Sequence, residues 1–208
     1  MRKPIWRGLV TAVAAAGLTV SAALAPGSPA IAAPITSRVT TAVTAQALPS
    51  YATWIDDVTA VTSVAQQYLG GRLPDSGIKA AIVLDIDNTA LASGYSSELV
   101  TPATPPVLAV AKQAVAAGAK VFFVSNRTEI IGPWTEYNLS QVGYTYTDMY
   151  LRAIFDFSDV QTMKTNARID IESRGYTIVA SIGNNDTDLA GGHAERTFKL
   201  PDYDGQLD

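Results

Sequence analysis

The chain has 208 residues, of which 48% are hydrophobic and 16% charged, and a formal net charge of −4. That balance fits a globular domain with a real core and excludes a disordered chain. The absence of cysteine excludes disulfides, a thiol nucleophile, a Cys-ligated zinc and a lipid-modified cysteine. An acidic chain without a Lys/Arg cluster also argues against a nucleic-acid partner.

Arg2, Lys3 and Arg7 make a positive start, and residues 8–25 are uncharged and mostly apolar. Ala30-Ile31-Ala32 follows with the small-x-small pattern of a signal-peptidase site. Residues 1–32 are therefore expected to be a signal peptide and the product secreted and extracellular, with no stable membrane association after cleavage. The alternative, an uncleaved anchor, is disfavoured because the apolar run is short for a span and rich in Ala, Gly and Thr. Residues 33–50, rich in Thr, Ala and Pro, are expected to form a loose arm, and residues 51–208 one domain.

Trp54, Ile55, Val58, Val61, Val64, Ala65 and Tyr68 fall on one face of a helix that Gly70-Gly71 is expected to end. Ala80 to Ile86 is a near-continuous apolar run, which marks a strand buried on both faces. Thr104-Pro105-Pro106 reads as a helix start, with a Thr cap and Pro in the first turn. Val107, Leu108, Val110, Ala111 and Val115 supply the buried stripe of that helix. Lys120 to Val124 is a second strand. Residues 128–142 read as helical, with Gly132-Pro133 disturbing the start, and 149–155 as a short strand. Ser158-Asp159 caps a helix to Ser173, Tyr176 to Ile182 is a further strand, and Arg196 to Leu200 a last one. Such alternation predicts an α/β fold with a mainly parallel sheet flanked by helices.

In such sheets ligands bind beyond the carboxyl ends of the strands. Three polar clusters fall there: Asp85-x-Asp87-x-Thr89, Ser125-Asn126-Arg127, and Asn184-Asn185-Asp186-Thr187-Asp188. Two carboxylates two residues apart repel each other unless a cation or a proton lies between them. A hard divalent cation with oxygen ligands suits them, and Mg2+ is the usual one beside phosphate. One carboxylate can then attack phosphorus while the other protonates the leaving oxygen and later activates water. Ser125 and neighbouring N–H groups can hold phosphoryl oxygens, and a lysine can face the phosphorylated aspartate. Each residue also has a plain structural reading: Asp87 and Asp188 as turn residues, Ser125 as a helix cap, Lys164 as a solvated lysine.

Taken together and in order, these residues resemble the haloacid dehalogenase (HAD) superfamily, in particular its subfamily IIIB acid phosphatases, which include plant vegetative storage proteins. The resemblance is carried by Val83-Leu84-Asp85-Ile86-Asp87-Asn88-Thr89, by Phe123-Val124-Ser125-Asn126-Arg127, by Lys164 with Arg168, and by Ile182-Gly183-Asn184-Asn185-Asp186-Thr187-Asp188-Leu189. It implies a Rossmann-like HAD core, and the short spacing after the first motif implies no large cap domain. It further implies Asp85 as nucleophile, Asp87 as general acid/base and Lys164 as the stabiliser of the phosphoenzyme. Thr89, Ser125, Asn126 and Arg127 become candidate phosphate-binding residues, and Asp85, Asp87 (through its carbonyl), Asn184 and Asp188 candidate Mg2+ ligands. Asn184 departs from the family pattern, which commonly has Asp there, and should weaken metal binding.

The expected function is hydrolysis of small phosphate monoesters. The competing expectation is a catalytically weak or inactive storage or ligand-binding relative on the same fold. With one histidine, His193, a His-nucleophile phosphatase, which needs several, is excluded; a Ser-His-Asp hydrolase is excluded because no G-x-S-x-G elbow or evident serine partner accompanies His193. His193 itself is expected to be structural. Trp134, Tyr137, Tyr144, Tyr146 and Tyr150 are expected mainly to pack, with stacking on an aromatic leaving group as the alternative.

Overall fold

The structure, a computed structural model, describes residues 47–75 and 77–207. The expected signal peptide and most of the expected arm lie outside the described residues.

Helix α1 (Tyr51–Arg72) starts on Ser50, whose hydroxyl accepts the Thr53 N–H. It buries Trp54, Val58, Thr62, Ala65 and Leu69, one stripe at steps of three and four. Thr62 is tolerated there because its hydroxyl donates back to the Val58 carbonyl at 3.0 Å. Val64, expected on that face, is exposed. The helix also runs through Gly70-Gly71. Buried Leu69 and Leu73 hold its last turn to the core, and Arg72 ties it to Glu195, which outweighs the poor helix propensity of glycine.

Strands β1 (Ala80–Leu84), β2 (Lys120–Thr128), β3 (Asp148–Arg152), β4 (Thr177–Gly183) and β5 (Arg196–Lys199) form one parallel sheet in the order β3-β2-β1-β4-β5. Alternate residues serve opposite faces. Ile82, Leu84, Val121 and Phe123 join the core under α1, α2 (Pro105–Ala116) and Leu139 of α3 (Gly132–Gln141). Ala81, Val83, Phe122 and Val124 face Ala167 and Ile171 of α4 (Val160–Ser173). Two covered faces explain why β1 reads as a continuous apolar run. The result is a Rossmann-like α/β core, and residues 85–104 between β1 and α2 hold only a short 3-10 turn, Ser93–Tyr95.

Three local expectations change. Val115 is largely exposed and Ala114 takes its place in the α2 stripe. Thr104 precedes α2, but its hydroxyl makes no capping bond; its carbonyl accepts from Val107 and Leu108 instead. Gly132-Pro133 does not disturb α3 but begins it, since a first-turn proline lacks only an N–H that would be unpaired anyway.

The strand order positions the site. From β1 the chain moves outward through β2 and β3 on one side, and β4 and β5 lie on the other. The loops leaving β1 and β4 therefore diverge, which opens a crevice at their carboxyl ends.

Candidate active site

Asp85 directly follows β1, and its N–H donates to the Ile182 carbonyl on β4 at 3.0 Å. Its carboxylate is buried beside Lys164, whose ammonium donates to Oδ1 at 3.0 Å and also contacts Oδ1 of Asp188. Lys164 lies in the second turn of α4, which Asp159 caps by accepting the Thr162 N–H. The sequence places this cation against the dipole of its own helix; the two buried carboxylates outweigh that.

Two carboxylates share one ammonium, so the cluster carries an excess negative charge. Burial and the nearby Asp188 carboxylate push the Asp85 carboxyl above its ordinary range, against the pull of Lys164. Asp188 is likewise raised, chiefly by burial, with Lys164 opposing. The like charge that Asp85 feels most is thus Asp188 and not Asp87, the neighbour that its D-x-D spacing suggests.

Asp87 has its own partner. Arg127 grips it with Nε on Oδ2 at 2.8 Å and NH2 on Oδ1 at 2.7 Å, and the Ser93 hydroxyl donates to Oδ1 at 2.5 Å. Burial works to raise this carboxyl, but Arg127, Ser93 and Lys164 together hold it below the usual carboxylate range. Arg127 also reaches the Thr135 hydroxyl of α3 at 3.2 Å.

The Ser125-Asn126-Arg127 cluster lies within β2 rather than after it. The pairing of β2 with β3 is interrupted between Val124 and Thr128, so these residues leave the ladder at the strand end, where a bulge re-aims side chains. Ser125 is buried, and its oxygen accepts the Arg127 N–H at 3.2 Å. Asn126 accepts from Arg152 Nε at 2.6 Å, and Arg152 also holds the carbonyls of Asp156 and Ser158.

Thr89 is fully buried. Its hydroxyl donates to Asn184 Oδ1 at 3.0 Å and accepts the Asn184 N–H at 3.1 Å. The Asn184 amide donates its own N–H to the Leu207 carbonyl at 3.0 Å. The turn Asp186–Asp188 after β4 is closed by reciprocal bonds between Asn185 and Asp188. Gly183 before it must be glycine: a Cβ there would lie 2.2 Å from Asp188 Oδ2.

An open cleft of about 220 Å³ is lined by Asp85, Asp87, Asn126, Val160, Lys164, Asn184, Asn185, Thr187 and Leu207. It gathers residues from three of the sequence clusters and α4. Thr89, Ser125, Arg127 and Asp188 do not line it; they support the residues that do. Of the five aromatics weighed above, none lines it either. Tyr144 is buried and bonds the Ala90 carbonyl, Tyr146 packs on Phe123, and Tyr150 bonds Asp170. Trp134 and Tyr137 pair with each other on the surface. His193 pairs with Glu172 at 2.6 Å, away from the cleft lining.

Sequence reasoning assigned no role to Ser93, Leu207 or Arg168. Arg168 is buried and spends its guanidinium on the carbonyls of Asp188, Ala190 and Gly192, holding the fourth loop. Its spacing of four from Lys164 puts both on one helix face, which was a usable signal. Nothing local marks Leu207.

The donors that line the cleft are oxygens, the Asp85 carboxylate, the Asn184 amide and the main chain of Asp87, and the Asp188 carboxylate is buried behind them against Lys164. Among the described residues no group of three or more His, Cys, Asp or Glu is assembled as a metal cluster; the Asp87 carboxylate is paired with Arg127. An all-oxygen set with excess negative charge fits a hard divalent cation.

A family model described as HAD superfamily, subfamily IIIB (acid phosphatase) matches residues 95–206, a span that begins after the Asp85 loop. Two soybean (Glycine max) proteins, the stem 28 kDa and stem 31 kDa glycoproteins, are each 37% identical over 119 residues. These matches cover 55% of this chain and 47% and 41% of the relatives, so the chain spans less than half the length of either. Among solved structures, the class C acid phosphatase from Bacillus anthracis superposes with a TM-score of 0.56 at 21% identity, over 68% of this chain and 67% of that one. Its tungstate-bound form gives 0.54. At that identity the likeness concerns the fold.

Proposed function

The chain belongs to the HAD superfamily, subfamily IIIB (acid phosphatase), and from that premise we propose that it is a secreted, Mg2+-dependent acid phosphatase acting on small phosphate monoesters. The observation that carries this reading is the buried Asp85–Lys164–Asp188 cluster at the wall of an open cleft.

In this reading Asp87 first takes up a proton in the substrate complex against the pull of Arg127; an Asp85 carboxylate oxygen then attacks phosphorus, the P–O bond to the leaving group breaks, and Asp87 gives that oxygen its proton. The phosphoaspartate then yields to water, from which Asp87 takes a proton, releasing phosphate and restoring Asp85. Lys164 balances charge on the phosphorylated side chain. Arg127 orients Asp87. Asn126 lines the cleft and would meet phosphoryl oxygens, Ser125 is buried beside it, and Thr89 holds Asn184. Mg2+ would be held by Asp85, the Asp87 carbonyl, Asn184 and Asp188, and when bound it offsets the repulsion between the carboxylate and the phosphate. The open cleft supports broad specificity.

The test is turnover of a generic aryl phosphate by the purified chain, with Mg2+ and with EDTA. Turnover that needs Mg2+ and is lost in Asp85→Asn is expected; activity surviving in Asp85→Asn would end the mechanism. Secretion is checked by expressing the whole chain and sequencing the N-terminus of the released product, which should begin at Ala33. A second reading, a catalytically weak or inactive storage or ligand-binding protein, is favoured by one observation. Asn184 is engaged by Thr89 and Leu207 and adds no charge for a metal. Mg2+-dependent turnover above background rules it out.

A further inference from the structure

The segment after β5 returns to the site. Residues 202–207 form a tight turn in which Tyr203, Asp204 and Gly205 all have positive φ, at 52°, 58° and 80°. Two of these are not glycine, a conformation that persists only where the surroundings over-determine it. The surroundings here do: Lys199 pairs with Asp202, the Tyr203 hydroxyl donates to Asp57 of α1 at 2.7 Å, and the Leu207 N–H donates to the Asp202 carbonyl at 3.2 Å.

The turn delivers one carbonyl to two side-chain amides. Leu207 C=O accepts from Asn88 Nδ2 at 2.7 Å and from Asn184 Nδ2 at 3.0 Å. Asn88 sits at φ 51°, a left-handed position that asparagine tolerates, and its Oδ1 accepts the Gly94 N–H at 2.6 Å. Asn184 is joined to Thr89 by two bonds. One buried network therefore links the nucleophile loop, the fourth loop and the returning segment. The Leu207 side chain packs against Gly94, where a Cβ would meet Leu207 Cδ2 at 2.7 Å. Among the described residues, Leu207 and Val160 are also the only aliphatic ones in the cleft lining.

We propose that Leu207 is a positioning residue: seated by the amides of Asn88 and Asn184, it locks the nucleophile loop to the fourth loop and completes the wall of the substrate cleft. This accounts for asparagine at 184. Only an amide accepts from Thr89 and donates to a carbonyl at once; a carboxylate would set acceptor against acceptor. The role rests on the phosphatase reading only where turnover is measured.

The test has two arms on the full chain. In Asn184→Asp, hydrogen exchange over residues 202–207 should accelerate by about tenfold or more, the equivalent of one lost buried hydrogen bond. In Leu207→Ala, which keeps the carbonyl and removes only the side chain from the cleft wall, KM for an aryl phosphate should rise about tenfold while kcat changes much less, as for loss of uniform binding. Unchanged exchange in Asn184→Asp, or an unchanged KM in Leu207→Ala, overturns the proposal. If the parent chain shows no turnover, the phosphatase reading fails separately. The second arm is then read as the Kd for inorganic phosphate, which Leu207→Ala should weaken if the proposal holds and leave alone if it does not.

Discussion

Arg127 holds Asp87 by both carboxylate oxygens across forty positions of sequence. A two-pronged guanidinium contact fixes the carboxylate plane as well as its distance, which a lysine cannot do. Arg127→Lys should therefore keep the fold and lower kcat by about a hundredfold, the scale of a misplaced catalytic group. Steady-state kinetics on an aryl phosphate check this, and Arg127→Lys with parental kcat would show that the grip on Asp87 is dispensable.

Asp85 is expected to oppose folding of the metal-free chain. Its carboxyl is pushed up in the folded chain by burial and by Asp188, so the ionised form is less welcome folded than unfolded, and near neutral pH that difference opposes folding. Asp85→Asn should abolish turnover and raise Tm in EDTA. Calorimetry distinguishes this from a merely damaged protein, whose Tm would fall.

Gly183→Ala tests the close approach of Asp188. The added Cβ would collide with Cβ and the carboxylate of Asp188, and the shift that relieves it is expected to pull that carboxylate from Lys164. A loss of about 3 kcal/mol is expected, the scale of breaking a buried charge pair, together with loss of turnover. Denaturant unfolding measures the first; an unchanged midpoint would mean that the loop gives way freely.

The pair between Arg72 and Glu195 ties the end of α1 to the start of β5, with Tyr68 as a third member. The hydrogen bond from Arg72 leads in lowering the Glu195 carboxyl, with burial opposing it. A depressed carboxyl contributes stability above its unfolded value, and that contribution is lost as pH falls through the folded value. The Tm of the parent chain should exceed that of Glu195→Gln about pH 7, and the gap should close below about pH 4. A gap that widens in acid would reverse the assignment.

The sequence by itself determined the architecture and the floor of the site. Apolar runs at 80–86, 120–124 and 176–182 and the stripes of the intervening helices encode a doubly covered parallel sheet, because a strand buried on both faces is apolar throughout whereas a helix buries every third to fourth residue. The rule that strand ends carry ligands then brings Asp85, Ser125 and Asp188 together, and the family resemblance adds Lys164. Helix ends and individual burial were less legible: Gly70-Gly71 reads as a stop, yet tertiary contacts carry α1 past it.

Only the tertiary structure decided which charge faces which. Asp85 meets Asp188 and Lys164, Asp87 turns away to Arg127, Arg168 collects the carbonyls of the fourth loop, and Leu207 closes the amide network. These partners lie tens of residues apart, and their pairing follows from loop paths and side-chain rotamers, which leave no period in the chain. A carbonyl such as that of Leu207 is invisible in principle, since every residue has one. The Asp85 loop was therefore readable from residue types alone, whereas the fit of Asn184 to its place needed the fold that brings Leu207 back to it.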